Sequence, residues 1–278
     1  MLSSRLTDVP PAYPSLSSRQ DALVQRCRRL AADPSADTGV LLDGAHLIRE
    51  ALEAHLTLDV VLVTPDFLDG ASAADRSLPE RAARTGAPVF AATARVMDAA
   101  SPVRTSTGIV AIAVWTPSPI GRAFRPAPAL AVGLVGVQDP GNVGAVVRSA
   151  DGLGATGVIA LEATAHPAGW RALRGAMGST FRLPVCRSAW ETARQEARRV
   201  SARIVAAIAD HARPVTDIDF REPTFLLVGN EGGGLPEEIV SEADARVTIP
   251  MRLGVNSLNV SVTVGVILYE ARRQRALS

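Results

Sequence analysis

Short, almost continuous apolar runs alternate along this chain with longer segments whose apolar positions recur every three or four residues. The runs predict buried β-strands, and the 3.6-residue spacing between them predicts amphipathic helices. Strands and helices in alternation are typical of an α/β fold built on a largely parallel sheet. The predicted strands are VLLDG, DVVLVT, APVFAA, GIVAIAVW, LAVGLVGV, GVIAL, RIVAAIA, TFLLVG and RVTIPM, and the first predicted helix is SRQDALVQRCRRLAA.

Two such series are separated by TPSPIGRAFRPAPA, residues 116–129, which holds four prolines and shows no periodicity. This composition is typical of an interdomain linker. The pattern therefore predicts a flexible, Ser- and Pro-rich arm over residues 1–18 and a small α/β domain over residues 19–115. After the linker, it predicts a second α/β domain over residues 130–278.

Composition narrows the chemistry that such domains can perform. Hydrophobic residues make up 47% of the 278 residues and charged residues 21%, the balance of a globular protein. The formal net charge is +1, so any surface that binds nucleic acid must be a local patch. All 29 basic residues are arginines, which excludes a Walker-type phosphate loop and Schiff-base chemistry, because both need a lysine.

The sequence gives no support for a disulfide, a metal site or a membrane-spanning segment. Cys27 and Cys186 lie far apart and have no CxxC spacing, which favours a reducing cytoplasm. The histidines are scattered without an HxxxH pair, so we expect no metal site. No run approaches the roughly 18 apolar residues of a membrane span. We therefore expect a cytoplasmic protein without a membrane partner.

The stretch GVQDPGNVGAVVRSADGLGA, residues 136–155, combines a glycine-rich turn with a helix, but it lacks the GxGxxG of dinucleotide-binding folds. On a helical wheel, Arg148 points away from the apolar face, and Gly144 and Gly152 lie one turn to either side of it. Glycines in a helix need a reason, and the usual one is close approach by another backbone or a ligand. A solvated arginine, paired with Asp151, is the simpler alternative. Asn142 is a candidate N-cap.

Two later stretches share this character. LLVGNEGGGLPEEI places glycines and Glu231 directly after a predicted strand, and IPMRLGVNSLNVSVTVGVILYEARRQR leads through Asn256, Ser257 and Asn259 into the last predicted helix. Ligands of open α/β sheets bind beyond the carboxyl ends of the strands. Each turn alone is explained by a tight connection with good caps, but three such turns favour one shared site.

Together these three stretches resemble the ordered motifs of the SpoU (TrmH-type) branch of the SPOUT RNA methyltransferases, over roughly Pro128 to Ala276. VLLDGAHLIREAL and TSTGIVAIAV resemble, more weakly, the substrate-binding domain often fused in front. The resemblance implies methyl transfer from S-adenosylmethionine to a ribose 2′-OH of structured RNA. It also implies an N-terminal RNA substrate-binding domain, a C-terminal α/β SPOUT domain with a trefoil knot and a parallel sheet, and a homodimer formed through the knotted domain.

Site residues are carried over by motif. Arg148 matches the arginine to which the family's catalysis is assigned; because a guanidinium is a poor base, we expect it to position a phosphate or stabilise a developing 2′-alkoxide. Asn142, Glu231 and Asn259 complete the expected catalytic set. The expected cofactor site comprises Gly229, Asn230, Glu231, Ile249, Met251, Ser257 and Leu258, where Gly229 would let the backbone approach adenine. The expected RNA-binding arginines are Arg19, Arg26, Arg28, Arg29, Arg49, Arg148 and Arg174.

The sequence departs from the family pattern at three places. Ala176 replaces a hydroxyl in RGAMG, Thr107 replaces a usual glutamine, and LDG stands where VEG is usual. These changes leave the chemistry intact but leave the substrate open: ribosomal RNA is favoured, with transfer RNA second and an antibiotic-resistance site on ribosomal RNA a further possibility. The alternatives to an enzyme of this type are a non-catalytic RNA-binding or ribosome-assembly factor on the same scaffold and, disfavoured by the missing GxGxxG, a nucleotide-dependent oxidoreductase.

Overall fold

The computed structural model describes residues 13–230, 232–252, 254 and 257–276. These residues form two compact units, one made of residues 13–32 and 41–114 and the other of residues 33–40 and 115–276. Each unit is built on its own sheet, as the two α/β series in the sequence indicate. Among the described residues, no helix is long and apolar enough to cross a membrane.

The first sheet has five strands in the order β1-β4-β3-β5-β2. β1, β4 and β3 pair in parallel, whereas β5 runs antiparallel to β3. Helices cover the sheet and bury the apolar side chains of its strands, among them those of Leu41, Leu62 and Ile112. In chain order the elements are β1 Ser15–Leu16, α1 Ala22–Ala32, β2 Gly39–Asp43, α2 Ala45–Glu53, β3 Leu58–Val63, α3 Pro65–Gly70, α4 Ala73–Arg76, α5 Leu78–Arg84, β4 Val89–Ala92, α6 Ala94–Ala100 and β5 Ile109–Val114.

The second sheet has seven strands in the order β10-β12-β9-β11-β6-β7-β8, with every pair parallel. Parallel strands covered on both faces read as continuous apolar runs, which is why they stand out in the sequence. The elements are β6 Leu130–Leu134, α7 Pro140–Leu153, β7 Gly157–Ala160, α8 Trp170–Ala176, α9 Ser179–Arg182, β8 Val185–Arg187, α10 Trp190–Arg199, β9 Arg203–Ala207, β10 Arg213–Pro214, β11 Thr224–Val228, α11 Glu237–Ser241, β12 Ala245–Thr248 and α12 Val260–Arg275.

The strand order places the ends of distant segments together. The chain builds β6, β7 and β8 outward, then returns to β9, and β11 later fills the position between β9 and β6. After β12, α12 returns to pack beside α7. Hydrogen bonds join the two helices at both ends, between Asn259 and Asn142 and between Arg272 and Gly152. The two helices therefore run side by side in the same direction, with their N-termini together.

Residues 116–129, predicted as a linker, contain local structure. Ile120–Arg122 forms a 3₁₀ turn, and Ala123 and Phe124 are buried in the core of the second unit. The Phe124 ring packs edge-on against Phe225, with 5.3 Å between ring centroids. The prolines therefore flank a short apolar anchor that the sequence pattern was too brief to reveal.

Candidate functional site

The carboxyl ends of β9, β11 and β12 open into a cavity of about 540 Å³, which we call the carboxyl-end cavity. This volume lies within the range of cofactor sites, roughly 300–1,000 Å³. The three strands are neighbours in the sheet, so the loops that follow them meet at one edge. Val228, Val247 and Ile267 give the cavity apolar walls, and the loops add polar groups. Such walls suit a ligand with both a flat apolar face and polar edges.

The predicted cofactor residues come together in this cavity from two separate loops. Gly229 and Asn230 directly follow β11, and the others lie between β12 and α12. Glu231, which was predicted for both the cofactor and the catalytic set, lies outside the described residues, as does Asn256. The predicted residues that line the cavity are Gly229, Asn230, Ile249, Met251, Ser257 and Leu258.

The glycine at position 229 has a different cause from the one expected. A Cβ there would lie 2.2 Å from the carbonyl group of Gly234 and 2.5 Å from the backbone nitrogen of Leu235. The loop folds back on itself at this point, and the N–H of Gly234 donates to the carbonyl of Asn230 at 2.8 Å. Closure of the loop itself therefore requires Gly229, without any approach by a ligand.

Beside the cavity, two predicted catalytic amides meet. Asn259 Nδ2 donates to Asn142 Oδ1 at 3.1 Å. Asn259 also caps α12, because its Oδ1 accepts from the backbone N–H of Ser261 at 2.9 Å. Leu258 and Val260, on either side of Asn259, both line the cavity, so the amide pair borders it. Residues 117 positions apart in the chain thereby share one hydrogen bond.

The candidate N-cap role of Asn142 is wrong. α7 begins at Pro140, and its N-cap is Asp139, whose carboxylate accepts from the N–H of Asn142 at 3.0 Å. Proline suits the first helical position because its missing N–H would have no partner there. The cap therefore lies three residues before Asn142, and the Asn142 side chain instead takes part in the amide pair.

Arg148 is exposed on α7 and, within the part of the chain that the structure describes, makes no hydrogen bond or ion pair. Asp151 pairs instead with Arg182 at 3.1 Å, so the pairing considered for Arg148 is wrong, whereas the solvated position of that alternative agrees with the structure. The flanking glycines have separate roles. A Cβ at Gly144 would lie 2.1 Å from the carbonyl oxygen of Ala172 in α8, whereas one at Gly152 would meet nothing within 4 Å. Close backbone approach therefore explains Gly144 alone.

Sequence reasoning missed several polar residues of the carboxyl-end cavity. Asp210 and His211 follow β9, and Thr263 lies on the first turn of α12. The run RIVAAIAD carried the signal for Asp210, because a carboxylate directly after a buried strand lies at the same edge as the other loops. Thr263 had no such signal, since only the packing of α12 brings it to the cavity.

The predicted RNA-binding arginines fall into different environments. Arg26 pairs with Asp59 at 2.7 Å and Arg49 pairs with Asp75, so opposite charges already balance both. Arg19, Arg28 and Arg29, by contrast, are exposed on the first unit. Arg174 is exposed on α8, the helix that packs against α7.

Neither cysteine offers a nucleophile. Burial raises the pKa of Cys27 to about 12 and that of Cys186 to about 11, so both remain protonated thiols near neutrality. In the described ranges, no three His, Cys, Asp or Glu side chains are grouped so as to hold a metal ion.

A parallel α/β sheet with a cofactor-sized cavity beyond its carboxyl ends, bordered by polar helix N-termini, is the arrangement of cofactor-dependent α/β enzymes. The family follows from sequence comparison. The profile of the SpoU rRNA Methylase family matches residues 129–269, about half of the chain, and the chain belongs to this family. The resemblance carried by the three glycine-rich motifs is thereby confirmed.

Solved structures support the same assignment over more than nine-tenths of the chain. The AdoMet-bound rRNA methyltransferase from Sinorhizobium meliloti matches with a TM-score of 0.82 and 26% identity, covering 94% of this chain and 98% of that one. The SpoU methyltransferase AviRb from Streptomyces viridochromogenes, in complex with AdoMet, matches with a TM-score of 0.79 and 30% identity, covering 93% and 100%. These matches confirm the predicted α/β SPOUT fold with its parallel sheet.

A characterised relative is similar along most of its length. The 23S rRNA (guanosine(2553)-2′-O)-methyltransferase RlmP of Bacillus subtilis is 27% identical over 232 residues, which cover 84% of this chain and 88% of RlmP. The similarity therefore extends beyond the SpoU domain into the first unit.

Proposed function

We propose that this protein transfers a methyl group from S-adenosylmethionine to a ribose 2′-OH of RNA. The observation that carries the proposal is the carboxyl-end cavity, where two predicted cofactor loops meet beside the Asn142–Asn259 amide pair. AdoMet-bound relatives share the fold. S-adenosylmethionine, once bound, supplies an electrophilic methyl group, so the protein needs neither a metal nor a nucleophile of its own.

The lining of the cavity suits the adenosine part of this cofactor. Ile249 and Leu258 line the cavity, where their backbone groups would read the edge of an adenine, and the apolar walls suit its faces. Asp210 offers carboxylate oxygens to ribose hydroxyls, which are donors. The closed turn between Asn230 and Gly234 forms the rim of the cavity.

Arg148 and the amide pair act on the RNA side. A guanidinium remains charged and donates several hydrogen bonds, so Arg148 holds a phosphate of the target nucleotide or stabilises the negative charge that develops on the 2′-oxygen. The mutual hydrogen bond of Asn142 and Asn259 fixes the N-termini of α7 and α12. This arrangement keeps the helix that carries Arg148 in register with the cofactor loops.

A homodimer through the second unit belongs to the same proposal. α12 buries one face and leaves Val262, Val266 and Tyr269 exposed on another, at 49%, 38% and 63% of their surface. Residues four and three positions apart form one stripe on a helix. The return of α12 from β12 across the sheet to α7 supports the expected trefoil knot. Ribosomal RNA is the favoured substrate and transfer RNA the second, and the first unit serves as the RNA substrate-binding domain.

Two measurements test the function. Calorimetry should show binding of S-adenosylmethionine and none of NAD, whereas an RNA-binding or assembly factor without catalysis should bind neither. Mapping of 2′-O-methyl groups in total RNA from deletion and wild-type cells should then reveal one ribose that loses its methyl group. Unchanged methylation together with absent cofactor binding would contradict the proposal.

A further inference from the structure

Three arginines of the first unit line one open cleft, which we call the arginine cleft. Arg19, Arg28 and Arg95 face it, and the remaining wall consists of Ser17, Ser18, Gln20 and Thr93. The acidic residue at its margin is Asp98. The cleft is therefore positively charged and rich in small hydrogen-bonding groups, although the whole protein carries a formal charge of only +1.

The topology of the first sheet creates this cleft. β1 and β4 are parallel neighbours, with Ser15 opposite Ala91 and Leu16 opposite Ala92. The chain leaves both strands at the same edge, which brings the turn at Arg19 beside the start of α6 with Arg95. Arg28 reaches the same place from α1, which packs against α6. Three separate segments thus place their arginines together.

The charges of the arginine cleft are not balanced by ion pairs among the described residues. None of its three arginines forms an ion pair with the residues that the structure describes, whereas Arg26, on the same helix as Arg28, pairs with Asp59. Grouping like charges costs free energy unless a ligand of opposite charge is present. The three arginines of the cleft therefore differ from the salt-bridged Arg26, and together they are suited to bind an anion.

One of these guanidiniums is already held in place. Arg28 Nε donates to the backbone carbonyl of Ala99 at 3.0 Å. This bond uses Nε alone, and among the described residues the two terminal nitrogens make no hydrogen bond; a guanidinium can donate two parallel hydrogen bonds to a phosphate. The hydroxyls of Ser18 and Thr93 provide the neutral donors that commonly accompany arginine at phosphates.

We propose that the arginine cleft binds phosphodiester groups of the RNA backbone. This inference rests on the proposed function for the identity of the polyanion. Contacts of this kind position an RNA without reading its sequence. The cleft thus contributes affinity and orientation, whereas selection of the methylated nucleotide belongs to other residues.

The test measures binding of a fluorescein-labelled RNA hairpin by anisotropy across a range of KCl concentrations. The variants are Arg19→Ala, Arg28→Ala, Arg95→Ala and the triple variant, with Arg84→Ala, at an exposed position of α5, as the control. Each phosphate contact contributes roughly 0.7–0.9 to the slope of log K against log salt. We expect a slope shallower by about two in the triple variant, a smaller change in each single variant, and none in the control.

The outcomes separate the cleft from the proposed function. An unchanged slope in the triple variant overturns the proposed role of the cleft. An equally large loss of slope in Arg84→Ala overturns it too, because such a loss would reflect net charge alone. The Kd for S-adenosylmethionine and the thermal midpoint report whether each variant is folded; if the triple variant is not, the single variants decide. A wild-type protein that binds the hairpin with the expected slope but does not bind S-adenosylmethionine contradicts the proposed function and leaves the cleft standing.

Discussion

At the scale of single residues, Arg148 can be tested without disturbing the fold. Its side chain is exposed and, among the described residues, makes no hydrogen bond or ion pair, so removal leaves no buried group unsatisfied. We expect Arg148→Ala to lower methyl transfer about 10²- to 10³-fold, the usual effect of losing one donor to a developing oxyanion. The Kd for S-adenosylmethionine should change by less than a few-fold. Transfer of tritiated methyl groups to RNA measures the first quantity and calorimetry the second.

Arg122→Ala is the matched control for Arg148→Ala. Arg122 is also exposed in the second unit, but it lies in the 3₁₀ turn of residues 120–122 and not on α7. This variant should keep full activity. Full activity in Arg148→Ala, or equal losses in the two variants, would remove Arg148 from the reaction.

Gly229 and Gly232 provide a second pair, since they lie in one loop with different surroundings. A Cβ at Gly229 would collide with the backbone of Gly234 and Leu235, whereas one at Gly232 would meet nothing within 4 Å. Gly229→Ala must open the loop at the rim of the cavity, and we expect the affinity for S-adenosylmethionine to fall at least about tenfold, the equivalent of roughly 1.4 kcal/mol. Gly232→Ala should bind normally by calorimetry. Equal affinity in both variants would show that loop closure does not matter for the cofactor.

His166 predicts a pH dependence of stability. Burial lowers its pKa from 6.5 to about 4, with Arg187 adding to the shift and Asp33 opposing it. Its Nδ1 accepts from the N–H of Ala168 at 3.1 Å, a bond that protonation would break. Between these two pKa values the unfolded chain binds more protons than the folded one, so stability falls as the pH is lowered from about 6.5 to about 4.

Urea unfolding at several pH values in this interval measures the effect of His166. His166→Asn retains an acceptor near the Nδ1 position but cannot titrate, so its free energy of unfolding should vary less with pH than that of the wild type. Above about pH 7, the difference between the two free energies of unfolding should no longer change with pH. A wild-type stability that is flat from pH 6.5 to 4 contradicts the buried, neutral state of His166.

At the scale of elements, α7 contains two glycines with different surroundings. Gly144 contacts α8 so closely that a Cβ would lie 2.1 Å from a carbonyl oxygen, while Gly152 lies in open space. Gly144→Ala should separate the helices and lower the free energy of unfolding by about 1–3 kcal/mol, the usual cost of overpacking. Gly152→Ala should raise it by about 0.5–1 kcal/mol, because alanine favours a helix. Chemical denaturation that gives the same sign for both variants contradicts this packing.

The long parallel strands and α12 could be predicted because their apolar patterns are extended, but other elements could not. β1, β8 and β10 have only two or three residues, too few for any periodicity. The antiparallel orientation of β5 depends on its pairing with β3, which leaves no trace in a single strand's composition. The true cap of α7 was visible as Asp139 followed by Pro140, yet the nearby Asn142 offered equally good capping chemistry.

For the whole molecule, the sequence identified the loops of the site more readily than their contacts. Turns after buried strands predicted one shared site at an edge of the sheet, because parallel strands end together, and the resemblance to the family assigned Gly229, Ile249 and Leu258 to it. The hydrogen bond between Asn142 and Asn259 depends on α12 returning to α7, and Asp210 enters through the position of β9 beside β11. Both features join residues that are far apart in the sequence, so they follow only from the arrangement of the strands in the sheet.

For the whole molecule we also propose that two copies associate through α12. Val262, Val266 and Tyr269 form an exposed apolar stripe on a helix whose opposite face is buried against α7, and a stable dimer needs an interface of roughly 1,000 Å² or more. Val266→Arg places a charge in this stripe and should convert a dimer into a monomer by light scattering. Val114→Arg, at an exposed valine of β5 in the other unit, should leave the mass unchanged. Because Asn259 caps α12, the same variant tests whether the site is complete within one chain. A monomeric Val266→Arg protein that retains full methyl transfer would show that it is. Lost activity with normal S-adenosylmethionine affinity would show that the partner contributes to the RNA side.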